Sequence, residues 1–226
     1  MGHDHADDRP GGHHHHPRHD HHDHDHAPIV DGSEVVGPYE VLETAVRELL
    51  IEKGVITAAD VQGQIDLMET RNAALGATIV ARAWTDPDFR ARLKANGRAG
   101  LAEMGIEIGQ IAEITVVENG PDVHHLVVCT LCSCYPRMVL GVPPAWYKSV
   151  AYRARAVSDP RGVLREFGVE LPPEKAVTVL DSTADMRYLV IPERPAGTEH
   201  LDAEALAALV TRDSMIGAGL ARQPAA

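Results

Sequence analysis

The sequence predicts an α+β fold in which a helical first half precedes a mixed domain of strands and helices. After Pro38, apolar residues recur at three- and four-residue spacing, as in an amphipathic helix. After Gly109 the pattern changes to short β-branched runs that alternate with helical segments. With 226 residues, the chain is long enough to bury the core of one or two modest domains.

Capping residues and helix breakers divide the first half into five predicted helices. The first begins after Pro38 and ends near Gly54, and Thr57 is a good N-cap for the second. The next predicted helices cover 58–71 and 73–84, a fourth begins at Asp86-Pro87, and a short fifth covers 99–104. The first two carry an apolar stripe with little nearby sequence to cover it. They are either an extended arm laid on another subunit or an ordinary intramolecular pair.

The second half is predicted to hold four strands and two helices. The strands are 111–117, 126–128, 177–180 and 186–191, and the helices are 160–167 and 203–210. A cysteine-rich loop begins where the second of these strands ends, which is a usual place for functional residues on a rigid scaffold.

The three cysteines of the chain, Cys129, Cys132 and Cys134, lie within six residues. An odd number of thiols cannot form a paired disulfide framework, and loops this short would be badly strained. The spacing suits metal coordination better, because it gathers three sulfurs and also presents the backbone nitrogens of Ser133 and Cys134.

Two kinds of metal site fit this run. Structural zinc takes four ligands, so His124, His125 or a water would have to complete the three sulfurs. A trivalent cobalt or iron ion prefers six ligands and accepts deprotonated amides. Three sulfurs and two amides would leave a sixth position open for water or substrate, which indicates catalysis.

These residues, with several later segments, resemble the metal-binding alpha subunit of nitrile hydratase and the related gamma subunit of thiocyanate hydrolase. The resemblance covers about residues 38–217 and implies a helical arm and helices at 38–108 and an α+β metal-binding catalytic domain at 109–217. The His/Asp-rich leader at 1–30 lies outside it, and its composition predicts disorder. The runs that carry the resemblance are VCTLCSCYP at 128–136, LGVPPAWYKS at 140–149, YRAR at 152–155, DPRGVL at 159–164, RYLVIPERPAGT at 187–198 and TRDSMIG at 211–217.

The resemblance also implies the chemistry of the site. Thr130 after the first cysteine accompanies low-spin cobalt(III) in the family, whereas serine there accompanies iron(III). The family keeps its first cysteine as a thiolate and oxidises the other two, which here makes Cys132 a sulfinate and Cys134 a sulfenate. Cys129, Cys132, Ser133 and Cys134 would hold the metal, and Cys134 and Ser133 would take part in catalysis.

Gln110 lies nineteen residues before Cys129, where members of the family carry a glutamine that organises the hydrogen bonds of the active site. The alternative is a plain polar loop residue. The resemblance further implies a beta-type partner subunit, which can be divided into two chains and which supplies arginines to the oxidised sulfurs, together with a cobalt activator protein.

Arg137 is the main departure from nitrile hydratases, which commonly place tryptophan three residues after the last cysteine. An arginine near the open metal position favours an anionic substrate such as thiocyanate, unless it forms a salt bridge to a partner. Segments 39–50 also resemble thiocyanate hydrolase, whereas 193–198 and 213–217 are closer to nitrile hydratases. Hydration of a small nitrile is the first hypothesis and thiocyanate hydrolysis the second. A non-enzymatic cobalt-binding or delivery protein is the third.

The leader and the overall charge limit which other functions are possible. Residues 1–26 hold 11 of the 14 histidines together with six aspartates, so they cannot bury enough apolar surface to order themselves. They suit either a loose metal buffer for cobalt loading or a solubilising tail. The formal net charge of −12 argues against nucleic acid. A polar start unlike a secretory signal, and the lack of a long apolar run, predict a cytoplasmic protein without a membrane span.

Overall fold

The computed structural model describes residues 37–109 and 112–224, so the leader and Gln110 lie outside the described residues. Residues from Gly37 onwards belong to one compact unit. Within this part of the chain, no helix is both long and apolar enough to cross a membrane. The predicted α+β class is confirmed, with ten α-helices and four strands among the described residues. The division into an arm region and a metal domain near residue 108 stays a prediction.

Five helices make up the first half, as predicted, and their ends lie within two residues of the predicted ones. Thr57 caps the second helix: its hydroxyl accepts a hydrogen bond from the Asp60 N–H, and the Asp60 carboxylate accepts one from the Thr57 N–H. The five helices are α1 (Pro38–Glu52), α2 (Ala58–Thr70), α3 (Ala73–Thr85), α4 (Pro87–Ala95) and α5 (Gly97–Ala102).

The first two helices, here called the arm (38–70), differ from α3 in burial. No residue of α1 is buried, and no described side chain of α2 is buried. In α3, by contrast, seven of thirteen residues are buried. A Cβ added at Gly76 of α3 would lie 2.5 Å from Leu140 and 2.7 Å from Met215, so this helix packs at close range onto the second half.

The strands form two parallel pairs instead of hairpins. β1 (Glu113–Glu118) pairs with β4 (Met186–Ile191), and β2 (Val123–Val128) pairs with β3 (Ala176–Asp181). Parallel pairing brings the carboxyl ends of β2 and β3 to the same edge, with Val128 opposite Asp181. The loop that follows β2 therefore starts beside an aspartate from a distant part of the chain.

Five more α-helices and a 3-10 helix complete the second half. They are α6 (Arg137–Leu140), α7 (Ala145–Lys148), α8 (Val150–Ser158), α9 (Pro160–Glu166), α10 (Ala203–Leu209) and the 3-10 helix Ser214–Ile216. The sequence predicted α9 and α10 but not the others. Helices α6 and α7 are single turns, too short for a periodic pattern, and α8 buries only Tyr152 and Ala156.

An aromatic cluster joins α7, α8 and the end of α9. The Trp146 ring lies 4.9 Å from that of Tyr152 and 4.6 Å from that of Phe167, and Tyr147 packs edge-on against Tyr135 at 5.0 Å. Tyr147 and Tyr152 are buried. These rings act as packing beside the cysteine loop.

Candidate metal centre

The loop Cys129–Cys134, here called the claw, gathers the three thiols of the chain at the end of β2. The Cys129 and Cys132 sulfurs are 3.3 Å apart, and the Cys132 and Cys134 sulfurs are 3.1 Å apart. Disulfide sulfurs would lie about 2.0 Å apart. All three cysteines are free, with Cys129 buried, Cys134 half-buried and Cys132 exposed. The claw is therefore a cluster of thiols with one open side.

These sulfur separations favour a six-coordinate ion over a four-coordinate one. With metal–sulfur bonds of about 2.3 Å, a regular tetrahedron places its sulfurs about 3.8 Å apart, whereas neighbouring sulfurs of an octahedron lie about 3.3 Å apart. The observed 3.3 Å and 3.1 Å match the octahedral spacing. The residues present thus fit a six-coordinate metal.

The neighbouring histidines do not join the cluster. His124 is fully buried, where its Nε2 bonds to the Gly217 carbonyl at 2.7 Å and its Nδ1 to the Asn119 amide at 3.1 Å. The His125 Nδ1 lies 3.0 Å from the Asn119 Oδ1. Among the described residues, the group of side chains able to hold a metal consists of the three cysteines alone. The fourth side-chain ligand that a histidine would give to structural zinc is not in place.

The thiols and amides of the claw point at one another. The pKa of Cys132 is lowered to about 7 because the S–H groups of Cys134 and Cys129 donate to its thiolate, with smaller help from the Ser133 and Cys134 N–H groups. The pKa of Cys134 is raised to about 12, first by burial and then by its hydrogen bond to Cys132, while Arg187 on β4 acts in the opposite direction. The Ser133 and Cys134 N–H groups thus lie near enough to Cys132 to help lower its pKa.

Asp181 fixes the first turn of the claw. Its carboxylate accepts a 2.9 Å hydrogen bond from the Thr130 N–H and a 2.6 Å hydrogen bond from the Thr130 hydroxyl. The parallel register of β2 and β3 places this carboxylate there. Sequence reasoning missed Asp181, because the spacing of 51 residues carries no sign of the contact without the strand pairing.

Three further side chains donate hydrogen bonds to the backbone of the claw and of the end of β2. Arg153 on α8 donates to the carbonyl oxygens of Cys132 at 3.2 Å and Thr130 at 3.4 Å. The Tyr147 hydroxyl donates to the Cys134 carbonyl at 2.8 Å, and the Tyr152 hydroxyl donates to the Val127 carbonyl at 2.6 Å. Arg153 and the tyrosines follow the claw within the runs that carry the resemblance, but no local pattern indicates which atoms they contact.

The remaining predicted site residues lie apart from this network. Arg137 begins α6 and is exposed, and its side chain has no ion pair or hydrogen bond with another residue of the described ranges. Gln110 is outside the described residues. Leu131, at the tip of the claw, is 87% exposed. The claw therefore presents an exposed apolar side chain, and Arg137, three residues after Cys134, is an exposed cation without an ion pair in the described ranges.

Comparison with known proteins identifies what this arrangement is similar to. The family model for the nitrile hydratase alpha chain matches residues 38–219. The alpha subunit of the high-molecular-weight cobalt-containing nitrile hydratase of Rhodococcus rhodochrous is 49% identical over 188 residues, which are 82% of this chain and 93% of that protein. The gamma subunit of thiocyanate hydrolase from Thiobacillus thioparus is 42% identical over 202 residues, which are 84% of this chain and 82% of that protein.

A solved structure shares the fold as well. Recombinant thiocyanate hydrolase with partially modified cobalt centres superposes with a TM-score of 0.77 at 40% identity, covering 84% of this chain and 92% of that one. The region that the family model matches, residues 38–219, includes the claw, both strand pairs and the helices around them.

Proposed function

The chain belongs to the nitrile hydratase alpha-chain family, and from this premise we propose that it is the metal-holding catalytic subunit of a cobalt nitrile hydratase, an enzyme that adds water to a nitrile to give the amide. The observation that carries the proposal is the claw: the Cys132 sulfur lies 3.3 Å and 3.1 Å from the other two sulfurs, the octahedral spacing, and no histidine of the described residues joins the three thiols.

Cobalt is the metal of the similar alpha subunit, and Thr130 favours it over iron in this chain. We propose a low-spin cobalt(III) ion held by the sulfurs of Cys129, Cys132 and Cys134 and by the backbone nitrogens of Ser133 and Cys134. Cys132 would be a sulfinate and Cys134 a sulfenate. When bound, the ion supplies a Lewis acid with one open position, which polarises a nitrile or a water.

The chain's own residues would perform the rest of the reaction. The Cys134 sulfenate oxygen would act as the base that takes a proton from water, whose oxygen bonds to the nitrile carbon while a proton goes to the nitrogen, or as the nucleophile itself. In the second case water then attacks the same carbon, the bond between carbon and the sulfenate oxygen breaks, and the sulfenate is restored. Asp181, Arg153 and Tyr147 hold the claw in place, so little reorganisation is needed during the reaction. Gln110 is proposed to order the hydrogen bonds around the substrate.

A beta-type subunit, in one chain or two, is the proposed partner. The claw presents Leu131 to the outside, and the exposed apolar residues of the arm offer a second contact surface. A covering subunit would also protect the sulfenate, since an open sulfenate oxidises further or condenses with thiols. A cobalt activator protein, a metal-buffering leader and a cytoplasmic location complete the proposal.

Thiocyanate hydrolysis is the second candidate, and Arg137 favours it. Its guanidinium is exposed and unpaired within the described residues, three positions after Cys134. A cation beside the open metal position would attract an anion such as thiocyanate.

Direct turnover by the purified complex with its partner subunit separates the candidates. Amide formed from a small nitrile supports the first, and carbonyl sulfide with ammonia formed from thiocyanate supports the second. Arg137→Trp should raise nitrile turnover and lower thiocyanate turnover if this side chain lines the pocket. The exposed Arg165→Trp on α9 serves as the matched control. A delivery protein would show neither activity and would hold exchangeable divalent metal.

A further inference from the structure

Arg153 contacts the claw through carbonyl oxygens and not through sulfurs. Its Nη1 lies 3.2 Å from the Cys132 oxygen and 3.4 Å from the Thr130 oxygen. Its Nε is buried and has no hydrogen-bond partner among the described residues, and no carboxylate of that part of the chain pairs with it. A half-buried guanidinium is costly unless negative charge lies near it. The surroundings of Arg153 thus suit a site that becomes anionic.

The Cys132 carbonyl oxygen belongs to the same peptide group as the Ser133 nitrogen, one of the two proposed amide ligands. Resonance across a peptide group couples its nitrogen to its oxygen. When the nitrogen binds a metal ion, its N–H bond breaks, the proton goes to solvent, and the electron pair left on nitrogen forms the metal bond. Part of the resulting negative charge resides on the oxygen, where Arg153 donates.

We propose that Arg153 is a positioning residue that stabilises the Ser133 peptide nitrogen as a metal ligand, by holding a positive charge against the oxygen of the same peptide. A hydrogen bond to a charged group is stronger than one between neutral groups, so the contact tightens when the metal is bound. The inference rests on the proposed metal centre.

The two amide ligands differ in this respect. The peptide that contains the Cys134 nitrogen ends in the Ser133 oxygen, and no side chain of the described ranges donates to that oxygen. Tyr147 donates to the next carbonyl, that of Cys134, whose peptide supplies no ligand. Arg153 therefore stabilises only the Ser133 amide ligand. The Cys134 amide ligand has no such side chain among the described residues.

A purely mechanical role for Arg153 is the competing explanation, since the same contacts also tie α8 to the claw. Charge separates the two explanations. Lysine and glutamine can each donate a hydrogen bond to a carbonyl, but only lysine carries the positive charge. A role in ligand stabilisation needs the charge, whereas a tie between α8 and the claw needs only the donor.

The test uses the full chain in complex with its partner subunit, as the variants R153K, R153Q and R153M. Arg155→Met is the matched control, because Arg155 lies on the same helix but pairs with Glu166. Three quantities are measured: cobalt per chain, the rate of cobalt loss to a chelator, and the metal–sulfur charge-transfer absorption. We expect R153Q and R153M to lose cobalt roughly 10- to 100-fold faster with a shifted absorption band. R153K and R155M should stay close to the unchanged complex.

Equal cobalt retention and equal spectra in R153K and R153Q would overturn the proposal, as would retention in R153M like that of the control. If R153M does not assemble, the comparison of R153K with R153Q decides alone. Turnover is a separate readout. If the variants lose cobalt in the expected order of rates but the complex hydrates no nitrile, the proposed function is refuted and the role of Arg153 stands. If the complex without any substitution holds no cobalt, both the proposed function and the role of Arg153 are refuted.

Discussion

The claw and the arm are both exposed, yet they are built in opposite ways. The arm has regular helices with defined caps, and its apolar side chains, such as Val41 at 59% and Leu42 at 57% exposure, face outward. The claw has no regular structure, but Asp181, Arg153 and Tyr147 hold its backbone from three directions. The difference shows that the shape of the claw is set within this chain, whereas the apolar side chains of the arm are left uncovered by the described residues.

Removing a claw sulfur should have the largest effect. Cys134→Ala deletes one ligand and the proposed nucleophile or base, so we expect cobalt content and turnover to fall by more than about 100-fold, beyond the loss usual for a residue that merely supports a ligand. Metal analysis and turnover of the purified complex measure this. Ser158→Ala, on the far end of α8, is the control. Full cobalt content and full activity in C134A would remove the claw from the chemistry.

Loss of the Asp181 carboxylate should come next. Asp181→Asn keeps the size of the side chain but loses its charge, and one of its two bonds to Thr130 must weaken, because an amide nitrogen cannot accept a hydrogen bond. We expect cobalt affinity to fall about 10- to 100-fold, as for other residues that orient a ligand. Competition with a chelator measures it, against Asp185→Asn, an exposed residue just before β4. Affinity unchanged in D181N would mean that the claw needs no such support.

The difference between the two regions also explains what sequence could predict. The five helices of the first half follow from caps and spacing, such as Thr57 with Asp60, because these signals are local. The cysteines follow from their own spacing. Asp181 and Arg153 do not, because their roles depend on the parallel pairing of β2 with β3 and on the packing of α8. Local signals therefore gave the ligands and missed the residues that hold them.

A charge on the arm should weaken assembly without affecting the claw. Leu42→Asp places a carboxylate on the exposed apolar face of α1, so we expect the affinity for the beta-type partner to fall about 30-fold, or about 2 kcal/mol, as at an interface hot spot. Unfolding of the isolated chain should hardly change, since this residue is exposed. Titration of the partner measures the affinity, with the exposed Glu48→Gln on the same helix as the control. Unchanged affinity in L42D would indicate that the arm contacts something else.

Acid should lower the free energy of unfolding through His124, which lies on β2, the strand before the claw. This effect should be smaller than the others. Burial lowers the pKa of His124, whose neutral ring bonds to Gly217 and Asn119. The unfolded chain therefore takes up a proton near pH 6.5 before the folded chain does. The stability from this residue is complete above that pH and is lost as pH falls through the lower, folded pKa.

We expect His124→Gln to flatten the change in melting temperature between about pH 7 and pH 5, because glutamine does not titrate in this range. Thermal unfolding of the metal-free chain at several pH values measures it. His200→Gln, an exposed histidine, is the control. An identical slope in H124Q and the unchanged chain would rule out His124 as the source.

The coordination of the metal in the purified complex tests the central claim most directly. X-ray absorption at the metal edge, together with the mass of the claw peptide, gives the ion, its ligands and the oxidation of the sulfurs. We expect six-coordinate cobalt(III) with mixed sulfur and nitrogen or oxygen ligands, two added oxygens on Cys132 and one on Cys134. Four-coordinate zinc with unmodified thiols would contradict it.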